Sequence, residues 1–531
     1  MNALLRPPPL REITRAEDLP SNHGNLCRDG GAVQLRPDDR RLVAMLDIGD
    51  RRVIALWAGS SSDNQVLQAA IRRVEAAGYT VTGTRTATAE VIEVCSETVD
   101  KTADGELEIT DATRTFDDIL TQAYGMGASD LHFLMGRSIA QVRARIHGEL
   151  TTLRQLGRAT ADSIARAMYS QAEVDSRRSS PSLNPNTYQD AAISRTVTAG
   201  GRVEQLKLRW ASGPAWPDSF DVAMRILNVG QTNERSLSSL GFDSDQEEAL
   251  LDALKAPHGV ILMCGATGEG KSTTMATLAE IWGRRHDGRR LIRTIEDPPE
   301  YIIPNARHMP VSRNDGSEPE EGFHRALRAA LRMDPDALVL GEIRDETTAD
   351  LLEQATLTGH KVFATVHAAS VFAGMWRLEE LGLKRARLSG DGFINAVIHQ
   401  NLVQTLCPSC SVPIAAEDLP ADLRRDLGER LDFEHADVRH RGSGCGQCIN
   451  GINGRRALAS ILIPDAKLRS LLQQGNEAAA IEHWRSGEMH RYAGAQKRSM
   501  VDQALDLIAA GQLSPMDAEM KIGTLRGDHL D

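Results

Sequence analysis

At 531 residues, with 41% hydrophobic and 25% charged side chains, the chain has the length of about three to four domains and is too apolar to be disordered throughout. Its 61 basic residues against 73 acidic ones leave a net charge of −12, which argues against a protein that coats DNA or an anionic membrane through a basic surface. No run approaches the ~18 consecutive apolar residues of a membrane-spanning helix, and Met1 to Thr14 lacks the apolar core of a signal peptide. The expected location is therefore the cytoplasm, with membrane contact only through a partner, and the seven cysteines are not expected to form disulfides.

Residues 1–38, rich in Pro, Arg and Asp without a period, read as a mobile leader. A small α/β domain follows over 39–98. It has apolar strands at Leu42 to Leu46 and Val53 to Trp57, a helix at Gln65 to Ala77 and a strand at Thr80 to Gly83. The polar stretch 99–114 reads as a linker. A second domain, 115–230, opens with a helix at Phe116 to Tyr124. In it Val142, Ala144 and Ile146 alternate with Arg143, Arg145 and His147, the period of a strand with one buried face. Strands at Val203 to Trp210 and Phe220 to Leu227 are expected to be joined by a turn spanning Ser212 to Pro217.

The largest domain, 231–464, alternates short apolar strands (Val260 to Cys264, Leu291 to Ile295, Ala337 to Leu340, Val362 to Val366) with helical segments. That order predicts a mainly parallel sheet covered by helices. Residues 465–531 carry helical periodicity and no strand signal, so a helical C-terminal domain is expected.

The strongest motif is Gly265, Ala266, Thr267, Gly268, Glu269, Gly270, Lys271, Ser272 and Thr273, which fits G-x-x-x-x-G-K-[ST] between a strand and a helix. Glycines let successive backbone N–H groups and a helix N-terminus face phosphate. Lys271 then neutralises the outer phosphate oxygens, and the Ser272 hydroxyl holds Mg²⁺. Glu269 is the odd member, because a carboxylate beside a triphosphate repels it unless the side chain points away. The apolar strand from Asp336 ends in Glu342, where a second carboxylate can reach Mg²⁺ or an attacking water. Thr294 to Tyr301 places Glu296 just after another strand, a position that also suits a plain loop acid.

Cys407-x-x-Cys410 and Cys445-x-x-Cys448 form two tight pairs with 34 residues between them. Each pair can grip one Zn²⁺ from a tight turn, and four thiolates complete a closed tetrahedral site with no open position for water, so the role is structural. The long interval requires a loop that bulges between the pairs. Cys27, Cys95 and Cys264 read as ordinary thiols.

In this order and spacing the boxes resemble those of the secretion-superfamily ATPases that power type II secretion and type IV pili, the GspE/PilB-like family. They are Gly265 to Thr273, Thr294 to Tyr301, Leu331 to Asp345 and Thr358 to His367. The resemblance implies a multidomain α/β fold: a PAS-like N-terminal domain, a RecA-like P-loop ATPase core with a mainly parallel sheet, a tetracysteine zinc subdomain near 402–456 and a helical tail. It implies an ATP hydrolase with ATP, Mg²⁺ and Zn²⁺. Glu342 would be the general base or water-positioning acid, Glu296 a second acid near Mg²⁺, and His367 a γ-phosphate sensor. Arg209 and Arg225 would be arginines that reach a neighbouring subunit's nucleotide. His360 is less certain, and Ala368 and Ala369 stand where the family carries hydroxyl residues.

Ring closure through such arginines implies a homo-hexamer, and the small N-terminal domain would dock an inner-membrane platform protein. The cysteine element and the extra N-terminal domain, absent from retraction ATPases of the PilT type, favour extension or secretion. The stretch from Trp210 to Arg225 departs from the usual secretion-type turn and favours assembly of a type IVb or conjugative thin pilus, with type II secretion as the alternative. A P-loop translocase on DNA or RNA is an alternative of another class. The basic clusters Arg284-Arg285, Arg289-Arg290 and Lys384 to Arg387 are short and read as solvated loop charge, so no direct nucleic-acid contact is expected.

Overall fold

Apolar runs that alternate with helical segments build three sheets in succession in the computed structural model, which describes residues 24–27, 42–48, 51–58, 65–88, 91–92, 95, 109–173, 180–228, 235–297, 299–311, 319–486, 494–495 and 498–526. In the first, Val43–Asp47 and Arg52–Trp57 pair antiparallel, Thr80–Thr86 joins the second in parallel, and the helix Gln65–Ala76 buries Leu67, Ala70 and Val74 against them. Gly24–Asn25 adds a short edge strand to Val43–Asp47. This part of the expected leader is therefore held in the sheet, where the Asn25 side-chain oxygen accepts the Met45 amide at 3.0 Å. Apart from residues 24–27, the expected leader 1–38 lies outside the described residues, as do residues 99–108 of the expected linker.

The linker ends earlier than its polarity suggests, because the next helix runs Ile109–Gly125. Only one face of it is apolar. Ala112, Phe116, Ile119, Leu120 and Ala123 are buried, while the Thr113 and Thr115 hydroxyls donate to the carbonyls of Ile109 and Asp111. This helix and Arg158–Ser170 cover one face of a six-stranded sheet, antiparallel throughout. Val142, Ala144 and Ile146 face the covered side, as their alternation predicts. The expected turn from Ser212 is shorter: Arg202–Ala215 and Ser219–Asn228 stay paired up to Ala215 and Ser219. The outer strand Gln189–Ala199 reaches only Ser212, so beyond it Pro214 sits on an edge, where its missing N–H costs nothing.

The third sheet has seven strands, in the order Ala306–Pro310, Ile292–Glu296, Ala337–Leu340, Lys361–Val366, Gly259–Cys264, Ile394–Leu406, Ile452–Leu462. All neighbours are parallel except the last pair. Gly259–Cys264, Ala337–Leu340 and Lys361–Val366 are buried along their whole length, as expected for strands covered on both faces. Each fully buried Leu, Ile or Val contributes about 1.5–3 kcal/mol relative to exposure, so the apolar interior holds these strands side by side between the helices.

The last two strands form a long hairpin that carries the cysteine pairs at its tip. The interval between the pairs holds the helix Ala421–Gly428 and a two-stranded ribbon, Val412–Pro413 with Arg439–His440. Helices Ala466–Gln473, Glu477–Ser486, Met500–Ala509 and Pro515–Ile522 complete the chain, with no strand among the described residues after Leu462. No helix among the described residues is long and apolar enough to cross a membrane.

Candidate active site

Parallel strands bring their carboxyl ends to one edge, where side chains from separate segments meet. Here that edge collects the loop after Cys264, Glu296 at the end of its strand, Glu342 two residues past Leu340, and His367 just past Val366. Asp336 and His360 lie at the opposite edge. Asp336 accepts the Leu291 amide and pairs with Arg290. His360 hydrogen-bonds through Nδ1 with the Ala355 carbonyl, 2.9 Å away, at the end of the helix Glu346–Leu357. Neither lies at the edge that carries the phosphate loop.

The phosphate loop turns through Gly268 and Gly270, at φ +84° and +79°, and the helix Lys271–Arg285 begins directly after Gly270. Ala266, Thr267 and Gly268 are exposed, whereas Gly265, Glu269 and Lys271 are buried and Ser272 and Thr273 are partly so. The conformation at Gly270 is tolerated by glycine, and an added Cβ would also come within 2.7 Å of the Gln400 amide. The Lys271 ammonium donates to the carbonyls of Gly265 and Ala266, both at 2.8 Å. Burial pulls its pKa below the ordinary lysine value, against the attraction of Glu342, Cys264, Glu269 and Glu300.

Glu342 and His367 come together, with His367 Nε2 3.1 Å from Glu342 Oε1, and Arg344 donates to Oε2 at 2.7 Å. Glu296 is 8% exposed, and burial, then the charge of Glu300, push its carboxyl up to about 8. Its Oε2 is buried without a hydrogen-bond partner among the described residues. A buried carboxyl with an unused oxygen, at the same strand edge as the phosphate loop, fits a divalent cation, which would restore its ionised form.

Arg209 and Arg225 are directly opposed across neighbouring strands, so they share one face of the second sheet, and both are exposed. Arg225 lies 3.2 Å from Asp130 and 3.6 Å from Glu300. The second sheet thus touches the loop that follows Glu296. Further ties between the sheets run from Gln404 to the His147 carbonyl and from Arg441 to Glu149.

Gln400 and His399 at the loop lie outside every motif, and Tyr301 closes the box Thr294 to Tyr301 without a role read from it. Gln400 is 1% exposed, accepts the Thr274 hydroxyl at 2.8 Å and donates to the Glu269 carbonyl at 2.6 Å. His399 beside it is buried, and burial lowers its pKa to about 4, which keeps the ring neutral. Tyr301 hydrogen-bonds with Thr273 at 2.7 Å and lies under the Arg235 guanidinium, 4.6 Å from its centre. His399 and Gln400 follow directly on the apolar stretch Ala396 to Ile398 and stay buried with it, the local signal that could have drawn attention to them.

At the hairpin tip the antiparallel register sets Leu406 opposite Ile452, which brings the two cysteine pairs together. The four sulfur atoms lie within 4.8 Å of one another, and the Cys407–Cys445, Cys410–Cys448 and Cys445–Cys448 separations are 3.7, 3.5 and 3.6 Å. A tetrahedron with Zn–S bonds of about 2.3 Å has edges of about 3.8 Å, so the set fits zinc. Cys27, Cys95 and Cys264 are buried.

The chain is 32% identical over 388 residues to type II secretion system protein E of Pseudomonas aeruginosa, covering 72% of each. It is 29% identical to the type IV pilus assembly ATPase PilB of Thermus thermophilus, covering 74% of this chain and 42% of that longer one. The fold is similar to that of the Legionella pneumophila ATPase DotB, with a TM-score of 0.56 at 19% identity, over 80% of this chain and 98% of that one. The sequence model of the type II/IV secretion system protein family matches residues 107–511. The chain therefore belongs to the type II/IV secretion system protein family and is one of its ATPases.

Proposed function

We propose that this ATPase works as a cytoplasmic homo-hexameric motor that hydrolyses MgATP to drive an inner-membrane platform protein, adding pilin-type subunits to a filament. The observation that carries this reading is the placement of Lys271, Glu296, Glu342 and His367 at one sheet edge, with His367 against Glu342. In it, backbone amides from Gly265 to Thr273 and the Lys271 ammonium hold the phosphates. Ser272 and Glu296 would hold Mg²⁺, which supplies neutralising charge at the phosphate oxygens. Glu342, positioned by Arg344 and His367, orients and deprotonates the attacking water. His367 senses the outer phosphate. Arg209 and Arg225 supply positive charge to a neighbouring subunit's nucleotide once the ring closes.

Type IV pilus assembly, of the type IVb or conjugative thin-pilus kind, is the first reading of the work done. Type II secretion is a specific second reading, favoured by the similarity to the Pseudomonas aeruginosa protein. A DNA or RNA translocase fits less well. Arg284, Arg290, Arg385 and Arg387 in the basic clusters each pair with a carboxylate, and paired charge gives little field for nucleic acid.

The test is MgATP hydrolysis by the purified protein with and without single-stranded and duplex DNA, beside Lys271→Ala and a size measurement in nucleotide. Hydrolysis that requires Lys271, ignores DNA and accompanies a hexamer is the expected result. Strong stimulation by DNA would overturn the motor in favour of a translocase.

A further inference from the structure

The phosphate loop carries a carboxylate of its own. Glu269 precedes Gly270 and is 6% exposed, so a negative charge is built into the cradle that receives a polyanion. Left alone it would work against binding, and it would draw Lys271, with which it interacts electrostatically, away from the phosphates.

The structure answers with contacts from two distant segments. Glu269 Oε2 accepts the Leu402 amide at 2.7 Å, and Oε1 accepts the Lys521 ammonium at 2.5 Å. Its carbonyl accepts Gln400, so the residue is held at three points. Lys521 lies at the end of Pro515–Ile522. That helix is anchored a second time one turn earlier, where Asp517 pairs with Arg441 at 2.7 Å. Arg441 also holds Glu149 of the second sheet. The ammonium is thus delivered by a helix whose position is set independently of the pair.

We propose that Lys521 is a positioning residue of the nucleotide site: it neutralises and turns aside Glu269, so that the loop offers its amides and Lys271 to the phosphates. The C-terminal helix is in this sense part of the wall of the ATP site. The proposal rests on reading 265–273 as the phosphate site.

The test is a double-mutant cycle in the full chain, using Lys521→Met, Glu269→Gln and their combination, with KM and kcat for MgATP as the readout. Lys521→Met is expected to raise KM roughly tenfold with kcat within about twofold, and added salt should narrow the gap. Lys521→Arg should restore the wild-type KM. In the Glu269→Gln background, Lys521→Met should change KM no further, because no buried charge remains to be neutralised. An equal rise in both backgrounds, an unchanged KM, or a loss of thermal stability with KM untouched would overturn the proposal.

Where Lys521→Met alone does not fold, the comparison of Glu269→Gln with the double variant decides. Equal KM values support the proposal, and a double variant that is unfolded or weaker overturns it. Lys271→Ala separates the two readings. If it leaves turnover intact the phosphate site itself is misassigned, whereas an inactive Lys271→Ala beside an indifferent Lys521→Met sinks only the role of Lys521.

Discussion

Glu342 and His367 stand 3.1 Å apart at the ends of adjacent parallel strands, the ring nitrogen against Oε1, while Arg344 holds Oε2. The carboxylate is thereby aimed from both oxygens. A water-positioning acid needs such constraint, since a small displacement from productive geometry costs orders of magnitude in rate. Glu342→Gln keeps the shape and one acceptor oxygen, exchanges the other for an amide donor, and removes the base. It is expected to bind a fluorescent ATP analogue with wild-type affinity and to lose roughly 10²–10⁴-fold in kcat. Turnover at the wild-type rate would remove Glu342 from the catalytic role.

Glu296 sets a pH dependence. Its carboxyl, ordinarily at 4.5, is raised to about 8 by burial and then by Glu300. The folded protein therefore keeps a proton that the unfolded chain gives up. Stability contributed by this group is full below the unfolded value and is lost as pH rises toward the folded one. In the nucleotide-free protein, Glu296→Gln should melt near the wild-type temperature at pH 5 and progressively above it as the pH approaches 8. A melting difference that stays flat across this window would show that the carboxyl ionises normally.

The cysteine cluster should hold about one zinc ion per chain, bound by four thiolates. Zinc released by a thiol-blocking mercurial and measured with a colorimetric chelator gives the count. Cys445→Ser with Cys448→Ser should lose the metal, lower the melting temperature and open the segment between residues 411 and 444 to protease, because metal binding is coupled to local folding. ATPase activity should fall less than in Glu342→Gln, since the cluster lies at the hairpin tip and supplies no group to the strand edge. Metal-free protein with wild-type melting would exclude a zinc site.

What was legible in the residues themselves is what is locally encoded. The phosphate loop is contiguous from Gly265 to Thr273, and its glycines and lysine carry meaning only at fixed spacing between a strand and a helix. The cysteine pairs are legible for the same reason. Strand ends were found to within a residue or two wherever the run was wholly apolar, as in Ala337–Leu340. The sequence understates the helix Ile109–Gly125 because its first turns are polar on the outside, and the strand Arg202–Ala215 because Gly213 and Pro214 are turn formers in most settings. A tyrosine ring on Gly213 and an open edge at Pro214 reverse that preference.

The amino-acid sequence by itself determined the phosphate loop, the alternation that makes a parallel sheet, and each of the two cysteine pairs, because each depends on neighbours a few residues away. Tertiary structure alone decided that Glu342 meets His367, that Gln400 braces the loop, and that Lys521 reaches Glu269 across 252 positions. Such pairs come into being only when parallel strands deliver their ends to one edge and a terminal helix docks against it, and no local spacing records which distant charge will arrive there.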